Sequence, residues 1–165
     1  MEFIHKMAKN KTKKTAGVIF PPPFIYLISI IIGILVNLVW KMKIFSDSII
    51  PRSIAGTAII AVGVFIFVNS FRALEKAKTP IQPYKPTIRI VKTGPYSFSR
   101  NPVYLSFALV QLGIAFLLNN PWVLASLIPA VAIVYTGVIL REEKYLESKF
   151  GKEYSDYKKS VRRWV

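Results

Sequence analysis

NPVYLSFALVQLGIAFLLNNPWVLASLIPAVAIVYTGVIL, Asn101 to Leu140, contains no charged residue. One membrane crossing takes roughly 20 apolar residues, so this stretch is about twice too long for a single helix. Asn119-Asn120-Pro121-Trp122 interrupts it near the middle. Asn-Pro favours a turn, and proline suits the first position of a new helix. The pattern predicts two helices in a tight hairpin, over residues 102–118 and 121–140.

Two further charge-free stretches, Thr15–Trp40 and Ser53–Phe71, are each long enough for one span. The expected fold is an all-α integral membrane protein with about four transmembrane helices, at 19–40, 52–71, 102–118 and 121–140, in one domain covering 1–165. Pro21-Pro22-Pro23 falls at the start of the first span, where missing amide donors cost least. The basic run Lys6–Lys14 has the character of a signal-peptide start. The apolar run after it is too long, however, and lacks a small-x-small cleavage site before Lys41, so a retained anchor is expected.

Lys and Arg number 23 against 8 Asp and Glu, for a net charge of +15. Five of the 23 precede the first span, three lie in the first loop, seven in the second, none at the hairpin tip and eight in the tail. This distribution predicts that residues 1–18, the 72–100 loop and the 141–165 tail share the cytosolic side, at the inner or plasma membrane if the cell is prokaryotic. Charges that border apolar spans suit anionic headgroups, not nucleic acid. With no cysteine, and with the lone His5 in the basic N-terminal run, neither a thiolate nor a histidine metal cluster is expected.

Polar residues crowd both ends of the hairpin: GPYSFSRNPVYL (Gly94–Leu105) before it and REEKYLESKFGKEY (Arg141–Tyr154) after it. A hairpin returns its end to the side where it began, so the two clusters should meet. Asn101 suits an N-cap and Pro102 the first helical position, leaving backbone amides and the positive end of the helix dipole to face an anion. Glu142 and Glu143 stand at the negative end of the partner helix, where two carboxylates are unfavourable unless a cation offsets them. The sequence thus describes a pocket for a small zwitterion. Bland readings compete: Arg100 and Arg141 as interfacial anchors, Glu142 as a surface partner of Arg141 or Lys144, Tyr96 and Tyr104 as belt aromatics. In the tail, Leu146, Phe150, Tyr154, Tyr157 and Val161 form one apolar stripe, fit for a membrane-surface helix or a cover over the pocket. Gly33, Gly56 and Gly63 permit close helix packing.

GPYSFSRNPVYL followed by REEKYLESKFGKEYSDYKKSVRRW resembles the isoprenylcysteine carboxyl methyltransferase family, itself related to the membrane phospholipid methyltransferases. The resemblance runs over about 79–164 and takes in TPIQPYKPTIRIVKTGPY. It implies an S-adenosylmethionine-dependent methyltransferase acting, at the cytosolic face of the last hairpin, on a lipophilic acceptor: a prenylated cysteine, a phospholipid amine or a small amphipathic molecule. Carried over, Gln82, Ile88, Arg89, Ile90, Val91, Tyr96, Asn101, Pro102, Val103, Tyr104 and Glu142 would hold the cofactor. Arg100, Tyr104 and Glu143 would serve catalysis, with Gly94 in support. Two positions depart from the family. Asn101 replaces a histidine and cannot act as a base. Val138 stands where the prenylcysteine enzymes use arginine on the substrate carboxylate, and Arg141 is the nearest replacement. A nicotinamide-dependent reductase of the sterol-reductase kind and a noncatalytic helical membrane protein are the alternatives.

Overall fold

The computed structural model describes residues 17, 20–45, 49–82 and 85–165; the Lys6–Lys14 run and His5 lie outside the described residues. Among them all regular structure is helical. Helix α1 spans Pro22–Val39, α2 Ile49–Lys76, α3 Pro102–Leu117 and α4 Pro121–Val134. A π-helical segment, Tyr135–Ile139, joins α4 to α5 (Leu140–Phe150), and α6 covers Lys152–Ser160. Three helices are long and apolar enough to cross a membrane: Pro22–Val39, Ile49–Lys76 and the continuous Pro121–Phe150. Helix α3 is apolar but shorter. The chain is an integral membrane protein, and Phe24, Leu27, Ile31 and Leu35 of α1 are exposed where lipid would cover them.

Helix α1 starts inside the three prolines, with Pro21 as its N-cap and a proline at its first position. The second helix is longer than the predicted 52–71. It opens at Ile49, so that Arg52 lies within its first turn and not in a loop. The Arg52 Nη1 donates to Leu117 O at 2.8 Å, satisfying one of the carbonyls left open at the end of α3. Past Phe71 nothing breaks the helix until Lys78, which takes a left-handed φ of 52°. The predicted end at residue 140 is likewise too early. Leu140–Phe150 continues the helix in good helix formers, and the break comes at Gly151, with φ 52°.

The Asn119–Trp122 stretch makes its turn with side chains. Asn119 has φ 50°, and its Oδ1 accepts from the Ile44 and Phe45 amides at 3.0 and 2.9 Å. Asn120 Oδ1 caps α4 by accepting from Trp122 N at 2.9 Å and Val123 N at 3.2 Å. Close approach of backbones joins the helices. A Cβ on Gly33 would lie 2.6 Å from Val123 Cα, and one on Gly113 would lie 2.6 Å from Gly56 O. These contacts press α1 against α4 and α2 against α3. One polar link crosses the interior: the fully buried Gln111 donates to Val123 O and Ser126 Oγ, both at 3.2 Å, and its Oε1 lies 2.8 Å from the Ser29 hydroxyl. In an apolar surrounding every such group needs a partner.

Candidate active site

Where α3 begins and α4 ends, a cavity opens between the helix termini and the 79–96 segment. Its empty space, counted out into the open mouth, is about 850 Å³. One wall comes from the loop after α2. The Thr79 side chain, buried, ties the start of this loop to its later part by accepting from Arg89 N at 3.3 Å. Gly94 takes φ 60° ahead of a 3-10 turn, Gly94–Ser97, that delivers Tyr96 to the cavity.

The second wall is the start of α3. Pro102 occupies the first helical position. The Asn101 side chain does not cap the helix; its Nδ2 donates instead to Arg163 O at 3.0 Å. The same carbonyl accepts from Ser99 Oγ at 3.3 Å, and Arg100 N donates to Arg162 O at 3.0 Å. The C-terminal strap thus anchors the turn that leads into α3.

From the third wall come the carboxylates, on α5 one turn beyond the π segment. Such segments recur at functional sites, and here Leu140 N reaches back to Tyr135 O. The two glutamates do different things. Glu142 Oε1 accepts from the Tyr104 hydroxyl at 2.9 Å. Glu143, buried, takes a fork from Arg163: Nε to Oε1 at 2.8 Å and Nη2 to Oε2 at 2.9 Å. Arg100 Nη1 adds a charge contact to Glu143 at 3.2 Å. Glu142 is thus the carboxylate left open to the cavity, whereas Glu143, expected to serve catalysis, is held by Arg163 and Arg100. Hydrogen bonding to Glu143, above all, raises the Arg163 guanidinium beyond its already high range.

The tail closes the cavity. The Leu146–Phe150–Tyr154–Tyr157–Val161 stripe packs inward, with Ile90 against it, so it does not form a free membrane-surface helix. Tyr154 and Tyr157 line the cavity, and the Tyr157 hydroxyl donates to Tyr96 O at 2.7 Å. Burial, and then the charge of Glu142, hold the Tyr96 phenol above its usual range, so it stays a neutral surface and donor.

Most of the residues singled out in the sequence converge here. Arg89, Ile90, Val91, Tyr96, Arg100, Asn101, Pro102, Val103, Tyr104, Glu142 and Glu143 all line the cavity. Four do not. Gln82 and Ile88 lie on the loop outside the lining, Ile88 being 58% exposed. Val138 is packed in the helix core, and the exposed Arg141 donates to Gly17 O at 3.2 Å. Sequence reasoning missed Thr79, Tyr145 and the Arg163 fork. Of these, only Arg163 left a trace, as an arginine one residue before an aromatic near the end of the tail. Among the described residues, no group of three metal-binding side chains is assembled.

A family model described as phospholipid methyltransferase matches residues 51–153. The chain is 33% identical over 129 residues to a Saccharomyces cerevisiae protein named protein-S-isoprenylcysteine O-methyltransferase, covering 73% of this chain and 52% of the yeast protein. It is 43% identical over 63 residues to an uncharacterized Haemophilus influenzae protein, covering 38% of this chain and 100% of that one. A Cupriavidus metallidurans protein named cobalt-zinc-cadmium resistance protein CzcN is 37% identical over 68 residues, 41% of this chain and 31% of that protein. The chain spans about half the length of the yeast relative. No solved structure matches.

Proposed function

The chain belongs to the phospholipid methyltransferase family, and we propose that it is a membrane-embedded, S-adenosylmethionine-dependent methyltransferase acting on a lipophilic acceptor. The observation that carries this reading is the division of labour between the glutamates. Arg163 saturates Glu143, while Glu142 faces the cavity with Tyr104 as its one hydrogen-bond donor. A partly buried carboxylate without a basic partner, opposite the start of a helix, suits a ligand carrying ammonium and carboxylate groups together.

The residues present fit the cofactor on structural grounds. Arg100 Nε is buried without a hydrogen bond, although Nη1 of the same guanidinium meets Glu143 at 3.2 Å, and an orphan donor needs an oxygen nearby. Tyr96, Ile90 and Val91 line the cavity and would pack on an adenine-sized ring. Glu142 would take the amino group, and the Arg100–Pro102 turn the carboxylate. When bound, the cofactor supplies a methyl carbon made electrophilic by its sulfonium. The chain's own tasks are then to orient the two reactants and to exclude water. Tyr154 and Tyr157 of α6 do the excluding.

For the acceptor, Val138 is buried in the core and Arg141 donates to Gly17 O outside the cavity lining, so neither position supplies the cation expected there for a substrate carboxylate. This favours a phospholipid amine or a small amphipathic amine over a prenylcysteine carboxylate. In the membrane, α3 would be a fourth span: its 16 residues reach about 24 Å at 1.5 Å per residue. It would form a hairpin with α4, leaving the cavity, the loop and the tail on the cytosolic side as the positive charges indicate. Transfer of a labelled methyl group from S-adenosylmethionine into a lipid extract, compared with a farnesylated cysteine analogue, tests the reading. Label in the lipid amine fraction supports it, label in the prenylated analogue moves the acceptor class, and no label in either defeats it.

A further inference from the structure

Arg163 sits where the two halves of the cavity are tied together, and it ties them with different parts of itself. Its carbonyl accepts from Ser99 Oγ at 3.3 Å and Asn101 Nδ2 at 3.0 Å, which fixes the turn before α3. Its guanidinium forks onto Glu143 at 2.8 and 2.9 Å and donates from Nη1 to the Tyr135 hydroxyl at 3.0 Å. The guanidinium also stacks over the Tyr135 ring, 5.1 Å from its centre. Tyr135 opens the π segment, and Glu143 adjoins Glu142 on α5. One residue therefore spans the start of α3, the π segment and α5.

A fork of two charge-assisted bonds holds both separation and angle, which a single contact does not. Breaking it would let Glu143 turn toward Arg100, which it meets at 3.2 Å, and the helix turn carrying Glu142 would follow. We propose that Arg163 is a positioning residue that sets the distance between the Arg100–Pro102 turn and Glu142, and so matches the cavity to the length of its zwitterionic ligand. This rests on the proposed cofactor reading. Arg163 does not line the cavity and acts only through the groups it holds.

Coupling is the signature. S-adenosylhomocysteine is titrated into the full chain in lipid nanodiscs for wild type, Arg163→Met, Arg163→Lys, Glu142→Gln and the Glu142→Gln/Arg163→Met double variant, with thermal melting measured for each. Arg163→Met is expected to weaken binding about tenfold in the wild-type background and less than about twofold once Glu142 has been replaced, since both changes then spoil one contact. Arg163→Lys, which keeps the charge but not the fork, should fall between. Should Arg163→Met not fold, the same comparison is made with Arg163→Lys. An equal loss in both backgrounds, accompanied by a lower melting temperature, or no loss at all, overturns positioning while leaving the cofactor site standing. Absence of binding by the wild type overturns the cofactor reading and this inference with it.

Discussion

The Tyr104 hydroxyl donates to Glu142 Oε1 across 2.9 Å, joining the first turn of α3 to the first turn of α5, 38 residues further along the chain. The bond fixes the one carboxylate that Arg163 leaves available. It also links the two ends of the apolar region whose interruption at Asn119 and Asn120 makes the meeting possible.

Tyr104→Phe keeps the ring and its packing but removes that donor. A hydrogen bond to a charged group contributes about 1.5–3 kcal/mol. We expect binding of S-adenosylhomocysteine, or the rate of methyl transfer, to fall about tenfold or more while the melting temperature changes little. Calorimetry and a thermal scan on the same preparation check this. Unchanged binding would make Tyr104 a packing residue only.

Close helix packing yields a contrast between two glycines. A Cβ at Gly113 would lie 2.6 Å from both Gly56 O and Ile60 Cγ1, whereas one at Gly137 meets nothing within 4 Å. Gly113→Ala should therefore destabilise by about 1–3 kcal/mol, as overpacking does. Gly137→Ala should be neutral or slightly stabilising. Detergent unfolding curves for the two variants decide it, and equal stability of both would contradict the packing described.

Much of this was legible beforehand. Charge-free runs located all four apolar helices because charges are excluded from lipid-facing helix centres, and Pro22, Pro102 and Pro121 marked three helix starts because proline lacks only an amide that is unpaired there anyway. The helix ends were misjudged at Lys76 and Phe150, since charge marks the membrane boundary and not the helix boundary. At the site, Arg100 to Tyr104 and Glu142 were found through one contiguous motif each. Arg163 was not, because its fork to Glu143 depends on how the tail folds back after Gly151, which no local spacing encodes. Glu142 and Glu143 were told apart only through the family resemblance, and the hold of Arg163 on Glu143 was not legible for the same reason. The reductase alternative finds no support in the family match.

Asn101 tests whether its side chain anchors the strap or caps the helix. Its Nδ2 donates to Arg163 O at 3.0 Å while its own side chain leaves α3 uncapped. Asn101→Ala should cost about 1–2 kcal/mol, with the Ser99 hydroxyl still on the same carbonyl. Asn101→Asp, which cannot donate and sets a charge against that carbonyl, should cost more. If the residue were an ordinary N-cap, aspartate would serve as well as asparagine, and the order of the two variants in melting temperature would reverse.

The central claim, that Glu142 holds the amino group of a sulfonium cofactor or its product, is tested most directly by calorimetric titration of S-adenosylhomocysteine into wild type and Glu142→Gln in lipid nanodiscs. The account predicts one site per chain in the wild type and binding weakened about tenfold or more in the variant, with both proteins equally folded. Equal affinity in the two would remove Glu142 from the site, and no binding by the wild type would contradict the account as a whole.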